Sequence, residues 1–105
     1  MAYEFKIIFE SPNWYQENQV RIKEDILALP TLAEEKNPDE FWLKDKASQS
    51  HWAFDARLFQ DKEYILIEVS RNTPALKKDL ASLIQKLGEH TSICVVDDDG
   101  EPHDF

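Results

Sequence analysis

Alternation of apolar and polar residues at the start of the chain predicts a β-strand from Tyr3 to Phe9. Every second residue in this stretch is aromatic or branched aliphatic, and the charged residues Glu4 and Lys6 lie between them. A period of two is typical of a strand with one buried face. Ile8 interrupts the polar side of the pattern, so we expect the strand to be covered on both faces near its end.

The same period returns in the middle of the chain and predicts a hairpin over residues 51–70. Its first strand runs from Trp52 to Phe59, and its second is the β-branched run Tyr64–Val69. The polar residues between these runs have the length of a hairpin connection. The short apolar run 41–43 predicts one further strand.

The last apolar run, Thr91–Val96, predicts a final strand. Its apolar residues fall on both faces, which is typical of a strand inside a sheet. Cys94 lies in this run, so we expect its thiol to pack in the core. Because it is the only cysteine in the chain, it cannot form an internal disulfide.

Two segments have the spacing of apolar residues that is typical of an amphipathic helix. The first is predicted from Pro12 to Leu29, because Ser11 is a favourable N-cap and Pro30 prevents the helix from continuing. The second follows the cap residue Thr73, which also precedes a proline. It is predicted to end at Gly88, where we expect a left-handed cap conformation.

Residues 31–40 form the longest polar connection and are predicted to be a loop with a short helical turn around Leu32–Lys36. If the short strand at 41–43 is set aside, the order of elements is β-α-β-β-α-β. That order predicts an α+β fold of the ferredoxin-like type. We expect a mainly antiparallel sheet, two helices on one face, one extra short strand, and a single domain over residues 1–105.

Charge narrows the classes of partner. The chain carries 21 acidic and 12 basic residues, a net charge of −9. Five of the acids lie in the last nine residues, which contain no Lys or Arg. Binding to nucleic acid draws on clustered Lys and Arg, so we expect no nucleic-acid partner. A concentrated acidic segment is suited to a basic protein.

Motifs for catalysis and for metal binding are missing. The acids Asp97 and Asp99 alternate, but Gly100 comes too early for a calcium loop. The three histidines occur singly, without the spacing of a zinc site. With two glycines, the chain has no Gly-rich phosphate loop. We therefore predict no catalytic residue, no metal and no cofactor, and a protein that is not an enzyme.

Targeting signals are also missing from the pattern. The first residues lack the basic and apolar regions of a signal peptide. No apolar run approaches the about 20 residues that a membrane span needs. We expect a cytoplasmic protein without a membrane partner.

Aromatic residues add a second signal of protein binding. Trp14 lies at a helix start, off the main apolar stripe, and Trp42 lies in the short strand. Exposed Trp side chains anchor protein interfaces, so we expect both to contact a partner.

Chain length, the α+β layout and the acidic run 97–104 together resemble the immunity proteins of bacterial toxin systems, most closely those of contact-dependent growth inhibition. The resemblance implies a small cytosolic protein that covers the active cleft of a cationic nuclease toxin. The tail acids would then occupy the phosphate-binding surface of the toxin, and a second group of acids would widen the patch. The predicted partner-binding residues are Asp97, Asp98, Asp99, Glu101 and Asp104 in the tail, Trp14 and Trp42, and Glu34, Glu35, Asp39 and Glu40 in the second group.

A small-ligand-binding regulatory module is the alternative. Amino-acid-binding domains with this element order usually carry a Gly-rich turn after the first strand, whereas this chain has residues 10–14, Glu-Ser-Pro-Asn-Trp, at that place. Partner binding that weakens strongly with salt would favour the immunity protein. Stabilisation by a small metabolite would favour the regulatory module.

Overall fold

The computed structural model describes residues 3–47 and 53–103 and has an α+β architecture. Six strands form one antiparallel sheet in the spatial order β2-β3-β4-β5-β1-β6, and three helices pack against one of its faces. The elements in chain order are β1 (Tyr3–Phe9), α1 (Pro12–Glu17), α2 (Gln19–Leu27), β2 (Leu32–Asn37), β3 (Glu40–Leu43), β4 (Ala56–Gln60), β5 (Tyr64–Val69), α3 (Pro74–Gly88) and β6 (Ile93–Asp97).

One face of the sheet forms the core. In β1 the alternate residues Phe5, Ile7 and Phe9 are buried, as the period of two predicts. They join Ile67 of β5 and the buried side chains of all three helices in a single apolar cluster. The same alternation holds in β3, β4 and β5, so the opposite face of the sheet carries partly exposed side chains. We call that side the open face.

Residues 31–40 are not a loop with a helical turn, as predicted, but contain the edge strand β2. Its residues are almost all exposed, so no apolar period marks them in the sequence. The strand exists because it pairs with β3, with two register shifts along the way. Charged residues and irregular pairing on an edge strand protect it from pairing with other chains. The sheet therefore has six strands, and the ferredoxin-like strand order is not confirmed.

The first helical segment is interrupted at Asn18, where one continuous helix was predicted. The backbone of Asn18 leaves helical geometry, with ψ at 19°. Its side-chain amide donates a hydrogen bond of 2.8 Å to the carbonyl of Trp14 and closes α1. This competition of an Asn side chain with the helical hydrogen bonds is a known cause of helix termination. The predicted cap at Ser11 is confirmed, because it accepts a hydrogen bond from the Trp14 amide.

Helix α3 begins as predicted, with Thr73 accepting a hydrogen bond from the Leu76 amide. Its end differs, because Gly88 belongs to the helix and is not left-handed. The described glycine with a positive φ is Gly100, at 79°.

Strand β6 lies at the edge of the sheet, so its predicted inner position is wrong. Cys94 is exposed on it rather than packed in the core. Ile8 is 42% exposed, which contradicts the expectation of a strand covered on both faces. The apolar character of Ile8 and of Cys94 predicts burial for each. They are register partners on the open face, where apolar residues are not buried.

The predicted hairpin is confirmed for Ala56–Val69, where β4 and β5 pair. Its expected start at Trp52 lies outside the described residues. Tyr15 of α1 is fully buried, and its hydroxyl lies 2.6 Å from the carbonyl of Asp61 and 3.0 Å from that of Tyr64. Through these hydrogen bonds, Tyr15 holds α1 against the turn between β4 and β5.

Candidate functional site

The acidic residues after β6 fold into a defined turn. The Gly100 amide donates a 3.0 Å hydrogen bond to the Asp97 carbonyl, and the Asp97 amide donates one of 2.9 Å to the Glu101 carbonyl. Gly100 supplies the positive φ that closes the turn, a conformation that L side chains rarely adopt. We call residues 97–101 the acidic turn.

After the acidic turn the chain returns along the outer side of β6. Pro102 forms a β-bridge with Val96, and the His103 amide donates a 2.8 Å hydrogen bond to the Val95 carbonyl. The His103 ring stacks on Phe5, with 4.3 Å between the ring centroids. The backbone of the acidic turn is thus anchored on both sides. Asp104 lies outside the described residues.

The carboxylates of the acidic turn have different roles. Asp97 Oδ1 accepts hydrogen bonds of 3.0 Å from the amides of Asp99 and Glu101, so this side chain holds the turn together. Asp98 is exposed, and its Oδ1 accepts a 3.2 Å hydrogen bond from the Glu4 amide at the start of β1. Asp99 and Glu101 are exposed. The outward charge of the turn therefore comes from Asp98, Asp99 and Glu101.

No cation neutralises these carboxylates within residues 3–47 and 53–103. The side-chain ion pairs in that part of the chain join Lys23 to Glu35 and Arg57 to Glu68. Neither involves the acidic turn or the neighbouring Glu4. With respect to the described residues, the turn is therefore a concentrated and unpaired negative charge.

The second predicted group of acids is partly neutralised by its own surroundings. Glu35 on β2 pairs with Lys23 at 2.9 Å. Glu40 on β3 accepts a 2.7 Å hydrogen bond from the Trp42 indole and one of 3.1 Å from the Asn37 amide group. The remaining members, Glu34 and Asp39, lie on β2 and in the turn between β2 and β3.

The structure does not bring the two acidic groups together. The acidic turn follows β6 and the second group lies on β2 and β3, at opposite edges of the six-stranded sheet. Five strand spacings separate the two edges, which is about 24 Å. The second group therefore does not widen the patch around the acidic turn, and the chain has two separate acidic surfaces.

The two predicted tryptophans also lie apart from the acidic turn. Trp14 is half-buried rather than exposed, and its ring lies 6.1 Å from that of Phe9 and 6.2 Å from that of His90. Trp42 is half-buried on the open face, with its ring 4.9 Å from Phe54. Trp14 follows the end of β1, whereas the acidic turn lies beside the beginning of that strand.

Residues of β1 complete the surface around the acidic turn, and sequence reasoning missed them. Two hollows, of about 370 and 270 Å³, flank Asp98, and Glu4 and Asp97 line both. Tyr3, 64% exposed, lines the first hollow, and Ile8, 42% exposed, lines the second. The interruption of the polar pattern at Ile8 was the available signal, since an apolar residue on a polar face is either covered or offered to a partner.

The side chains with shifted pKa values, Tyr15 and Tyr64, give little support for acid–base catalysis. Burial raises the pKa of Tyr15, and the nearby carboxylates of Asp61 and Asp39 raise it further. Asp61 is also the main cause of the raised pKa of Tyr64. Both phenols are thereby poorer proton donors. Among the described residues, no group of three or more His, Cys, Asp or Glu side chains is placed to hold a metal ion.

The role assigned to Asp97 predicts a difference between two substitutions. Asp97→Ala removes the acceptor of two backbone amides and is expected to lower the free energy of unfolding by about 1 kcal/mol. Asp97→Asn keeps an acceptor oxygen and is expected to change it by less than about half of that. Urea unfolding measures both variants. Equal effects of Ala and Asn would show that the side chain does not hold the turn.

In the part of the chain that is described, no helix is long and apolar enough to cross a membrane. Comparisons with protein-family models, with curated proteins and with solved structures find no match to this chain.

Proposed function

We propose that this chain is a non-catalytic binding protein that neutralises a basic partner. The partner we propose is a cationic nuclease toxin, which makes the chain an immunity protein of the contact-dependent growth inhibition type. The observation that carries the proposal is the acidic turn. Its backbone is anchored to the sheet, and its outward carboxylates form no ion pair among the described residues.

The backbone of the acidic turn is already in position before a partner binds. An ion pair at an interface gains little if its side chains must first be ordered or released from other pairs. The bridge at Pro102 and the hydrogen bond to Asp98 already fix the turn. Unpaired negative charge also accelerates the encounter with a basic protein. A nuclease toxin has a basic cleft for phosphates, which is the complementary surface.

We propose that the sheet is an extended ferredoxin-like sheet, in which the β2–β3 hairpin is added beside β4. The spatial order β4-β5-β1-β6 of the other strands supports this. We also propose a cytoplasmic location, because an immunity protein must meet the nuclease where its substrate lies.

Co-expression with a cationic nuclease toxin domain of the contact-dependent growth inhibition type tests the proposal. We expect growth to be restored and a stable complex to co-purify, with an affinity that falls as salt is raised. As a matched control, the same toxin is expressed with a variant that carries Asp98→Asn and Asp99→Asn, which is expected to restore growth less well. Absence of both rescue and complex would contradict the proposal and favour the small-ligand-binding module.

A further inference from the structure

The open face of the sheet is arranged in rows of register partners. One row crosses the sheet from Phe59 through Leu66 and Lys6 to Val96. Next to it lies the row Tyr64–Ile8–Cys94. The apolar members are half-buried or exposed, and Ile8 is 42% exposed. None of these side chains belongs to the core cluster that the helices cover.

A third row on the same face leads into the acidic turn. It runs from Trp42 through Arg57 and Glu68 to Glu4, whose amide donates to Asp98. The hollow of about 270 Å³ joins the apolar and acidic parts, because Ile8, Val96 and Asp98 all line it. The apolar floor and the carboxylates therefore form one continuous surface.

Cations on the open face do not cancel this negative charge. The Lys6 ammonium lies 4.8 Å from the centre of the Tyr64 ring. Lys6 also lines the hollow of about 270 Å³, but within residues 3–47 and 53–103 it forms no ion pair with the acidic turn. Arg57 lies over the rings of Phe54 and Phe59 and pairs with Glu68. Glu4, Asp98 and Asp99 remain without an ion pair in the described part of the chain. The surface thus has apolar side chains around Lys6 in its middle. Among the described residues, the carboxylates at its acidic end have no ion pair.

We propose that the open face, at the end formed by β1 and β6, is the docking surface for the basic partner. This inference rests on the proposed function and adds the set of residues that the partner contacts, which we call the footprint. The partner places apolar side chains on Ile8 and Val96, and flanking Lys or Arg side chains reach Glu4, Asp98 and Asp99. Charge complementarity selects this occupant, because a purely apolar partner would leave these carboxylates buried and unpaired.

The other exposed features fit this partner less well. The second acidic group lies at the far edge, where Lys23 and Trp42 already engage Glu35 and Glu40. Val20 on α2 is 72% exposed, but its helix neighbours Lys23 and Glu24 carry opposite charges, so no concentrated negative charge accompanies it.

A peptide titration followed by amide chemical shifts tests the footprint on the intact chain. The probe is acetyl-Arg-Leu-Arg-Leu-Arg-amide, compared with peptides in which Gln replaces Arg or Ser replaces Leu. We expect saturable shifts at the amides of Ile8, Val96 and Asp98. Both control peptides are expected to bind at least about fivefold more weakly, because one lacks the charge and the other the apolar contact.

Matched variants sharpen this test. Ile8→Thr is expected to weaken peptide binding about fivefold, while Val20→Thr removes an even more exposed apolar side chain elsewhere and is expected to change nothing. Asp98→Asn with Asp99→Asn is expected to have an effect of similar size. The double variant Glu34→Gln with Glu35→Gln removes the same charge from the other edge and is expected to be neutral.

The outcomes separate the footprint from the proposed function. Shifts confined to residues 34–40 or to α2, or equal binding of all three peptides, would overturn the footprint. Restored growth in the toxin co-expression, together with an unaffected Ile8→Thr variant, would overturn the footprint and leave the proposed function standing. Peptide binding at Ile8 and Asp98 without rescue would support the docking surface and overturn the toxin as its occupant.

Discussion

Replacing Asp98 and Asp99 together by lysine is expected to weaken binding of the toxin domain by about two orders of magnitude and to abolish protection of growth. Each substitution places a cation where the basic partner already presents one, and like charges across an interface cost several kcal/mol. A loss of about 3 kcal/mol corresponds to a factor of roughly 10² in affinity. Calorimetric titration at low and high salt measures this loss and its screening.

The control for this prediction changes the same charge at the other edge of the sheet. Glu34→Lys with Glu35→Lys raises the net charge equally, but these residues lie on β2, about 24 Å away. We expect this variant to associate more slowly with the toxin domain but still to protect growth. If both double variants lose affinity equally, total charge rather than the acidic turn determines binding. Circular dichroism confirms that each variant is folded.

Replacing Tyr15 by alanine is expected to remove a large part of the stability of the fold. Tyr15 is fully buried and stacks on Phe9 at 4.4 Å between ring centroids. Removing a buried aromatic side chain costs about 3–5 kcal/mol, against a total stability of roughly 5–15 kcal/mol for a domain. Tyr15→Phe keeps the ring and loses the hydroxyl contacts to the carbonyls of Asp61 and Tyr64, at about 1–2 kcal/mol. Urea unfolding distinguishes the two.

The raised pKa of Tyr15 makes the same site sensitive to alkali. Burial, and then the charges of Asp61 and Asp39, disfavour the phenolate in the folded protein. In the unfolded chain a tyrosine titrates near pH 10. Above that pH the unfolded state binds fewer protons than the folded state, so the free energy of unfolding falls as pH rises. The contribution of Tyr15 is fully present below about pH 10 and decreases by up to about 1.4 kcal/mol per pH unit above it.

Tyr15→Phe provides the measurement for this pH dependence. Lysines also titrate in alkali, so the informative quantity is the difference in free energy of unfolding between the protein and this variant. We expect that difference to be constant from pH 7 to 9 and to shrink between pH 10 and 12. A difference that stays constant across the whole range would show that folding does not raise the pKa of Tyr15.

Local sequence patterns predict the strands and helices whose own residues show an apolar period or a cap. Strand β1 follows from its period of two, and α3 from its apolar stripe and the cap at Thr73. Strand β2 could not be predicted in this way, because its exposed residues acquire strand geometry from pairing with β3. The break at Asn18 depends on one side chain competing for the Trp14 carbonyl, which the helical spacing of its neighbours conceals.

The features of the candidate site also fall into two groups, those that local sequence determines and those that depend on the tertiary structure. The sequence by itself determined the concentration of acids after β6, the turn at Gly100 and the α+β class, because these depend on residue type and on neighbours in the chain. Only the tertiary structure decided that the second acidic group lies at the opposite edge, and that Glu4 and Ile8 join the acidic turn. Strand order and register place residues far apart in sequence side by side, and hydrophobic periodicity contains no information about either.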